Sequence, residues 1–278
     1  MAQTSPRMIG FTEADLDFVV SEAAPGAQNP ERLKQLIRED GEFRRALIGD
    51  EKVFRRVRTD DEIFVKISPA LYFEVLLRRT LKELETARYT VERAGKQNIP
   101  VFDAREVVDL LSRQGVLEYL AQMLTSFVRI NNYVVPVRVR RGVQRRVRYN
   151  DIDIDSLIAF CSRAAEGQRF AFYKRIADVC LFVSGVFPEY AFRRYGHPSA
   201  EHVRYLPLGR LRRSLEDYEE EGRRFYGLAE KHPAARALEL SDVFSALRRD
   251  FTSARKPLSF IAAHYLHSRK QRLFGQSE

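Results

Sequence analysis

Apolar side chains recur at alternating steps of three and four residues along most of this chain. This spacing brings them to one face of an α-helix, so it is the feature that most constrains the fold. The clearest stripe contains Leu211, Leu215, Tyr218, Gly222, Phe225 and Ala229. Comparable stripes in both halves predict a mainly α protein, a multi-helix, bundle-like assembly.

Helix starts are marked by capping residues. Asn29-Pro30 and Ser68-Pro69 each place a side-chain acceptor directly before a proline that tolerates the first helical position. From Ser68 the apolar stripe continues to Arg93, where Gly95 is expected to end the helix. The break from Gly95 to Pro100 predicts two helical subdomains, residues 1–98 and 99–278, which could also form one continuous domain.

The most apolar segment, from Ile176 to Phe187, predicts a buried core helix. It has twelve residues and contains Asp178, whereas a transmembrane helix needs about twenty. The N-terminus has no basic segment followed by an apolar one, so no secretory signal is expected. Two cysteines in 278 residues suit a reducing compartment. Together these observations predict a cytoplasmic protein without a membrane partner.

Residues 133–149 alternate with period two around Arg141-Gly142, which predicts one surface β-hairpin among the helices. Strand alternation places Arg138 and Arg140 on one side and Val137 and Val139 on the other. A basic two-stranded ribbon of this kind fits a nucleic-acid groove and can neutralise phosphates. The candidate nucleic-acid-binding residues are Arg138, Arg140, Arg141, Arg145, Arg146 and Arg148.

The charge of the hairpin has a second interpretation. The whole chain has 47 Lys plus Arg against 38 Asp plus Glu, a formal net charge of +9. The arginines could simply form a solvated face, or pair within the protein with an acidic cluster. That cluster consists of Glu216, Asp217, Glu219, Glu220 and Glu221.

Asp178 is a candidate pocket residue, because a carboxyl group in an apolar helix must be paired or protonated. Lys174 and Arg175 lie one turn earlier and can pair with it, which is the structural interpretation. The functional interpretation is a perturbed acid in a helical pocket.

Other catalytic and metal motifs are not formed. Asp151, Asp153 and Asp155 lack the glycine and glutamate of a calcium loop, and are expected to end the hairpin and cap the next helix. His264 and His267 are three residues apart, but basic residues rather than carboxylates surround them. No cofactor and no metal is therefore expected, and the sequence favours a binding protein over an enzyme.

Four segments resemble a family of uncharacterised bacterial helical proteins. They are VPVRVRRGVQRRVRYNDIDIDSL, FYKRIADVCLFVSGVFPEY, RRSLEDYEEEGRRFY and SARKPLSFIAAHYLH. The similarity spans about Phe43 to Phe274, and it implies a soluble bacterial protein without implying an activity or a site.

The hypothesis that follows is a cytoplasmic binding or regulatory protein that contacts a polyanion, in particular nucleic acid, through the hairpin arginines. The alternatives are an all-α enzyme or small-ligand sensor with a pocket near Asp178, and a protein–protein scaffold whose basic hairpin meets an acidic partner.

Overall fold

The computed structural model describes residues 10–94, 97–101, 103–129, 132–140, 143–190, 213–266 and 269–274. Helices prevail throughout, which confirms the mainly α fold. The first part of the chain forms α1 (Glu13–Ala23), α2 (Pro30–Glu39), α3 (Gly41–Ile48), α4 (Glu51–Thr59), α5 (Ile63–Lys66), α6 (Pro69–Thr86), α7 (Ala104–Leu111) and α8 (Val116–Ser126).

After a β-hairpin, the helices resume. Short 3-10 turns at Glu166–Gln168 and Pro188–Tyr190 flank the longest of them. The helices of this part are α9 (Ile154–Cys161), α10 (Arg169–Val186), α11 (Leu215–Lys231), α12 (Pro233–Ala237), α13 (Ser241–Arg249), α14 (Phe251–His264) and α15 (Lys270–Phe274).

The described residues form two antiparallel hairpins. The predicted one is confirmed as β3 (Asn132–Arg140) paired with β4 (Val143–Asn150). The sequence did not predict the other, β1 (Thr90–Ala94) paired with β2 (Gln97–Val101). The expectation of a helix continuing to Arg93 was therefore wrong: α6 ends at Thr86, where the backbone of Ala87 turns extended.

Two helices form the centre of the core. In α10, every residue from Ile176 to Val186 is buried, as expected for a core helix. This helix packs against α9, α11 and α14, while α6 packs against α7, α8 and α14. One hydrophobic cluster spans both predicted subdomains, from Leu16 to Phe274, and the division near residue 98 stays a prediction. In the described residues, no helix is long and apolar enough to cross a bilayer.

The caps predicted at Asn29 and Ser68 are present. Thr12 and Asp15 form a reciprocal capping box at α1, and the side chains of Asn29 and Ser68 accept the backbone N–H of Arg32 and Leu71. Asp15 is fully buried, and its second oxygen accepts the backbone N–H of Ser68 at 2.7 Å. One carboxylate therefore joins the starts of α1 and α6.

The C-terminal helices close the core over the first half of the chain. The guanidinium of Arg269 donates to the carbonyl oxygens of Val57 and Asp60, 212 and 209 residues earlier. Lys256 on α14 forms an ion pair with Asp103, 153 residues earlier. The helix α14 begins at Phe251 and continues through Pro257. These contacts join the C-terminal helices to residues in the first half of the chain.

Candidate nucleic-acid interface

The candidate interface is the ribbon of β3 and β4, whose backbone pairing the structure describes. Val134 opposes Arg148, Pro136 opposes Arg146, Val137 opposes Arg145 and Arg138 opposes Gln144. The register shifts between Arg138 and Arg140, and Arg141 at the turn lies outside the described residues. Five of the six predicted arginines are thus strand residues.

This register distributes the arginines over the ribbon. Residues that oppose each other, and residues two apart, share one side of an antiparallel pair. Arg138, Arg146 and Arg148 therefore belong to one side, whereas Arg145 shares the other side with Val137. The segment from Asn132 to Asn150 contains no acidic residue, so positive charge follows the ribbon along its length.

A single arginine of α10 ties the chain directly after β4 to the helical core. The Nε of Arg175 donates to the carbonyl oxygen of Asp151, and its Nη2 to the Asp151 carboxylate, both at 2.9 Å. Its Nη1 donates to Oγ of Ser126 at 2.8 Å, and its guanidinium lies 4.0 Å from the centre of the Phe127 ring. Asp151 directly follows β4, whereas Ser126 is the last residue of α8, so Arg175 joins the C-terminal end of the ribbon to α8.

The three aspartates after the ribbon have structural roles. Asp151 binds Arg175, Asp153 accepts the backbone N–H of Ser156 as the N-cap of α9, and Asp155 pairs with Arg213. This agrees with the expectation that they end the hairpin and cap the next helix. Within the described part of the chain, no group of three His, Cys, Asp or Glu side chains could hold a metal ion.

A cavity of about 760 Å³ lies beside the attachment of the ribbon. Its lining includes Arg129, Asp151 and Arg175 together with residues of α8, α9 and α10. Arg129, three residues after the end of α8, is exposed. The lining therefore holds one exposed cation of the helical core beside the ion pair of Arg175 and Asp151.

Asp178 is fully buried and has three hydrogen-bond partners. Its Oδ1 accepts the hydroxyls of Tyr119 at 2.6 Å and Tyr226 at 2.9 Å. Its Oδ2 accepts Nζ of Lys174 at 2.6 Å, as the structural interpretation expected, whereas Arg175 turns to Asp151 instead. Burial, followed by the proximity of Asp178, raises the pKa of both tyrosines well above the ordinary value, so the hydroxyls remain donors.

Asp178 does not line the cavity beside the ribbon. Both oxygens of the carboxylate accept a hydrogen bond, which is the arrangement that makes a buried carboxyl group tolerable. The sequence signalled the lysine through its helical spacing, but it gave no signal for the tyrosines, which lie 59 and 48 residues away.

The acidic cluster on α11 has partners near its own helix. Glu219 accepts Arg223 at 2.7 Å and Thr252 at 2.6 Å, and Glu221 lies 3.4 Å from Arg224. Asp217 closes the capping box with Ser214. These contacts account for part of the negative charge that the sequence offered as an internal partner for the hairpin.

The described histidines have structural contacts. His232 is the N-cap of α12, accepting the backbone N–H of Ala234, and His264 stacks on Phe260 with ring centres 4.1 Å apart. His267, the second member of the histidine pair, lies outside the described residues.

Comparisons with protein-family models, with curated proteins and with solved structures find no match to this chain. The resemblance to a family of bacterial helical proteins stays a prediction.

Proposed function

We propose that this protein binds nucleic acid through the ribbon of β3 and β4, as a binding or regulatory protein rather than an enzyme. The observation that carries the proposal is the antiparallel pairing of two arginine-rich strands of nine and eight residues that contain no acid. At about 3.3 Å per residue the ribbon is roughly 30 Å long, and the major groove of B-DNA admits a two-stranded ribbon.

The charge of the ribbon supports contact with the phosphate backbone. Six arginines and no acid give residues 132–150 a formal charge of +6. Arginine binds phosphate through a planar fork of donors, which suits it to this contact. Since phosphate contacts carry no base information, we expect binding to be largely independent of sequence.

The attachment of the ribbon supports its use as a binding element. Arg175 fixes the chain directly after β4 through the backbone and carboxylate of Asp151, and it joins this point to the hydroxyl of Ser126 at the end of α8. A ribbon held at its base loses less freedom on binding, so more of the phosphate attraction contributes to affinity.

We also propose a cytoplasmic location. Both cysteines, Cys161 and Cys180, are buried, and they do not form a disulfide with each other. Thiols are maintained in this form in a reducing compartment, which is also where an intracellular nucleic acid would be met.

The test is fluorescence anisotropy with a labelled 20-base-pair duplex and a labelled single strand. If all six arginines contact phosphates, the slope of log K against log salt is about −5, and affinity falls roughly a thousandfold between 50 and 200 mM salt. Replacing Arg138, Arg140, Arg145 and Arg146 with Gln should weaken binding to every sequence alike. The slope should then flatten to about −2.

A matched variant separates the ribbon from total charge. Arg55, Arg58, Arg105 and Arg163 are exposed on other helices or loops, and changing these four to Gln removes the same charge. We expect this control to bind almost as the native protein does. Absence of binding to either nucleic acid at 50 mM salt would refute the proposal. Equal losses of nucleic-acid affinity in the two variants would assign the binding to overall charge. Selective binding of an acidic protein would favour the scaffold alternative.

A further inference from the structure

A second cavity, of about 630 Å³, lies away from the ribbon, between the β1–β2 hairpin and α14. The end of α6 and Ser184 of α10 complete its wall. Its volume falls in the range of about 300–1,000 Å³ that is typical of small-molecule sites. Neither the proposed nucleic-acid contact nor the buried Asp178 cluster uses this space.

One face of α14 forms a wall that passes from the core to the surface. Arg255 and Lys256 line the cavity and are buried, at 8% and 7% exposure. One turn later Ser259 and Phe260 are half-buried, and after another turn Ala263 and His264 are exposed. Because residues four apart lie along one helical face, the cavity has a cationic inner end and an open outer end.

The opposite wall is apolar and incompletely covered. The β1–β2 hairpin and the residue before it contribute Tyr89, Val91 and Ile99, which are 48%, 53% and 44% exposed. The half-buried Phe260 of α14 adds a further apolar side chain to this lining. Apolar side chains grouped around a recess are typical of a ligand site, whereas single exposed ones are not.

The charges of the lining favour an anion. Three cations, Arg88, Arg255 and Lys256, face one acid, Glu83, which already accepts Nε of Arg79 at 2.6 Å. Arg255 and Lys256 have partners of their own; that of Lys256 is Asp103. A ligand carboxylate would therefore join cations that already have partners, rather than meet an isolated cation.

We propose that this cavity binds a small amphipathic organic acid. Its carboxylate would lie at the inner end, near Arg255 and Lys256, and its aliphatic body would extend along Phe260 towards Ala263. The excess of cations in the lining favours a negatively charged head group on the ligand. The apolar side chains of the lining favour an aliphatic body. This site goes beyond the proposed nucleic-acid binding and does not depend on it.

Isothermal titration calorimetry with octanoate, 1-octanol and octylammonium tests the head group, since the three probes share one chain. We expect octanoate to bind at least tenfold more tightly than either of the others. Arg255→Gln should remove about tenfold of the octanoate affinity and leave that of 1-octanol unchanged. Equal affinity for octanoate and 1-octanol in the native protein would overturn the proposal.

A second pair of variants keeps the test independent of the buried cations. Ala263 is exposed at the outer end, so Ala263→Trp fills the opening without altering the core. Val65, 85% exposed, does not line this cavity and provides the matched control Val65→Trp. We expect Ala263→Trp to lower octanoate affinity at least tenfold and Val65→Trp to leave it unchanged. Native-like binding by Ala263→Trp, or no octanoate binding by the native protein at millimolar concentration, would refute the site.

Discussion

Replacing Asp178 with Leu tests the buried carboxyl group, because three donors converge on it. The two tyrosine hydroxyls are buried, and each would lose the acceptor it has at 2.6 or 2.9 Å. Lys174, whose side chain is 32% exposed, can turn to water instead. The loss of folding stability therefore comes mainly from the two tyrosine hydroxyls that lose their acceptor.

The expected magnitude follows from these contacts. Each buried hydroxyl left without an acceptor costs about 1–3 kcal/mol, and the exposed side of the lysine pair adds at most about 1 kcal/mol. Breaking a buried pair by removing one partner costs about 3–5 kcal/mol. We expect Asp178→Leu to lower the free energy of unfolding by about 3–5 kcal/mol, measured by urea denaturation followed by circular dichroism at 222 nm.

A triple variant distinguishes lost hydrogen bonds from disturbed packing. Adding Tyr119→Phe and Tyr226→Phe to Asp178→Leu removes the orphaned donors as well as their acceptor. Replacing all the partners with apolar groups of similar shape is nearly neutral, so the triple variant should regain at least half of the loss. If Asp178→Leu is as stable as the native protein, or if the triple variant is no more stable than Asp178→Leu, the reasoning is wrong.

Three further outcomes are expected. Arg175→Lys keeps the charge but loses the planar group of donors that binds Asp151. In the anisotropy assay the affinity for the duplex should therefore fall several-fold, while the slope of log K against log salt stays unchanged. A changed slope would contradict this expectation. Gly222→Ala should lower the free energy of unfolding in urea by about 1–3 kcal/mol, because an added Cβ would lie 2.5 Å from Cζ of Phe251; native stability would show that the helices can separate at no cost. Burial raises the pKa of Tyr218 to about 12, so the unfolded chain releases this proton from about pH 10 while the folded protein retains it. The urea midpoint should therefore fall between about pH 10 and 12, and by less in Tyr218→Phe.

Local signals in the sequence predicted the helices well. The caps at Asn29 and Ser68, the apolar stripe of α11 and the buried segment of α10 depend on residues near one another in the chain. The β1–β2 hairpin was missed because Val91 continues the helical spacing of α6 by coincidence. Its 53% exposure shows that it does not belong to the core stripe.

The candidate site could be predicted only where it is local. The arginine alternation of β3 and β4 is visible in the sequence, and the register confirms the pairing. The attachment through Arg175 and the tyrosines around Asp178 could not be predicted, because the partners lie 24 to 59 residues apart. Helical periodicity indicates which face is buried, but it does not indicate which distant polar group meets that face.

The late closure of the core has a consequence for synthesis on the ribosome. Asp103 emerges 153 residues before its partner Lys256, and Val57 emerges 212 residues before Arg269. At about 5–20 residues per second, the first interval alone lasts roughly 8–30 s. For that time the face of α6 that packs against α14 has no partner, and the nascent chain presents an apolar surface to chaperones until its last helices appear.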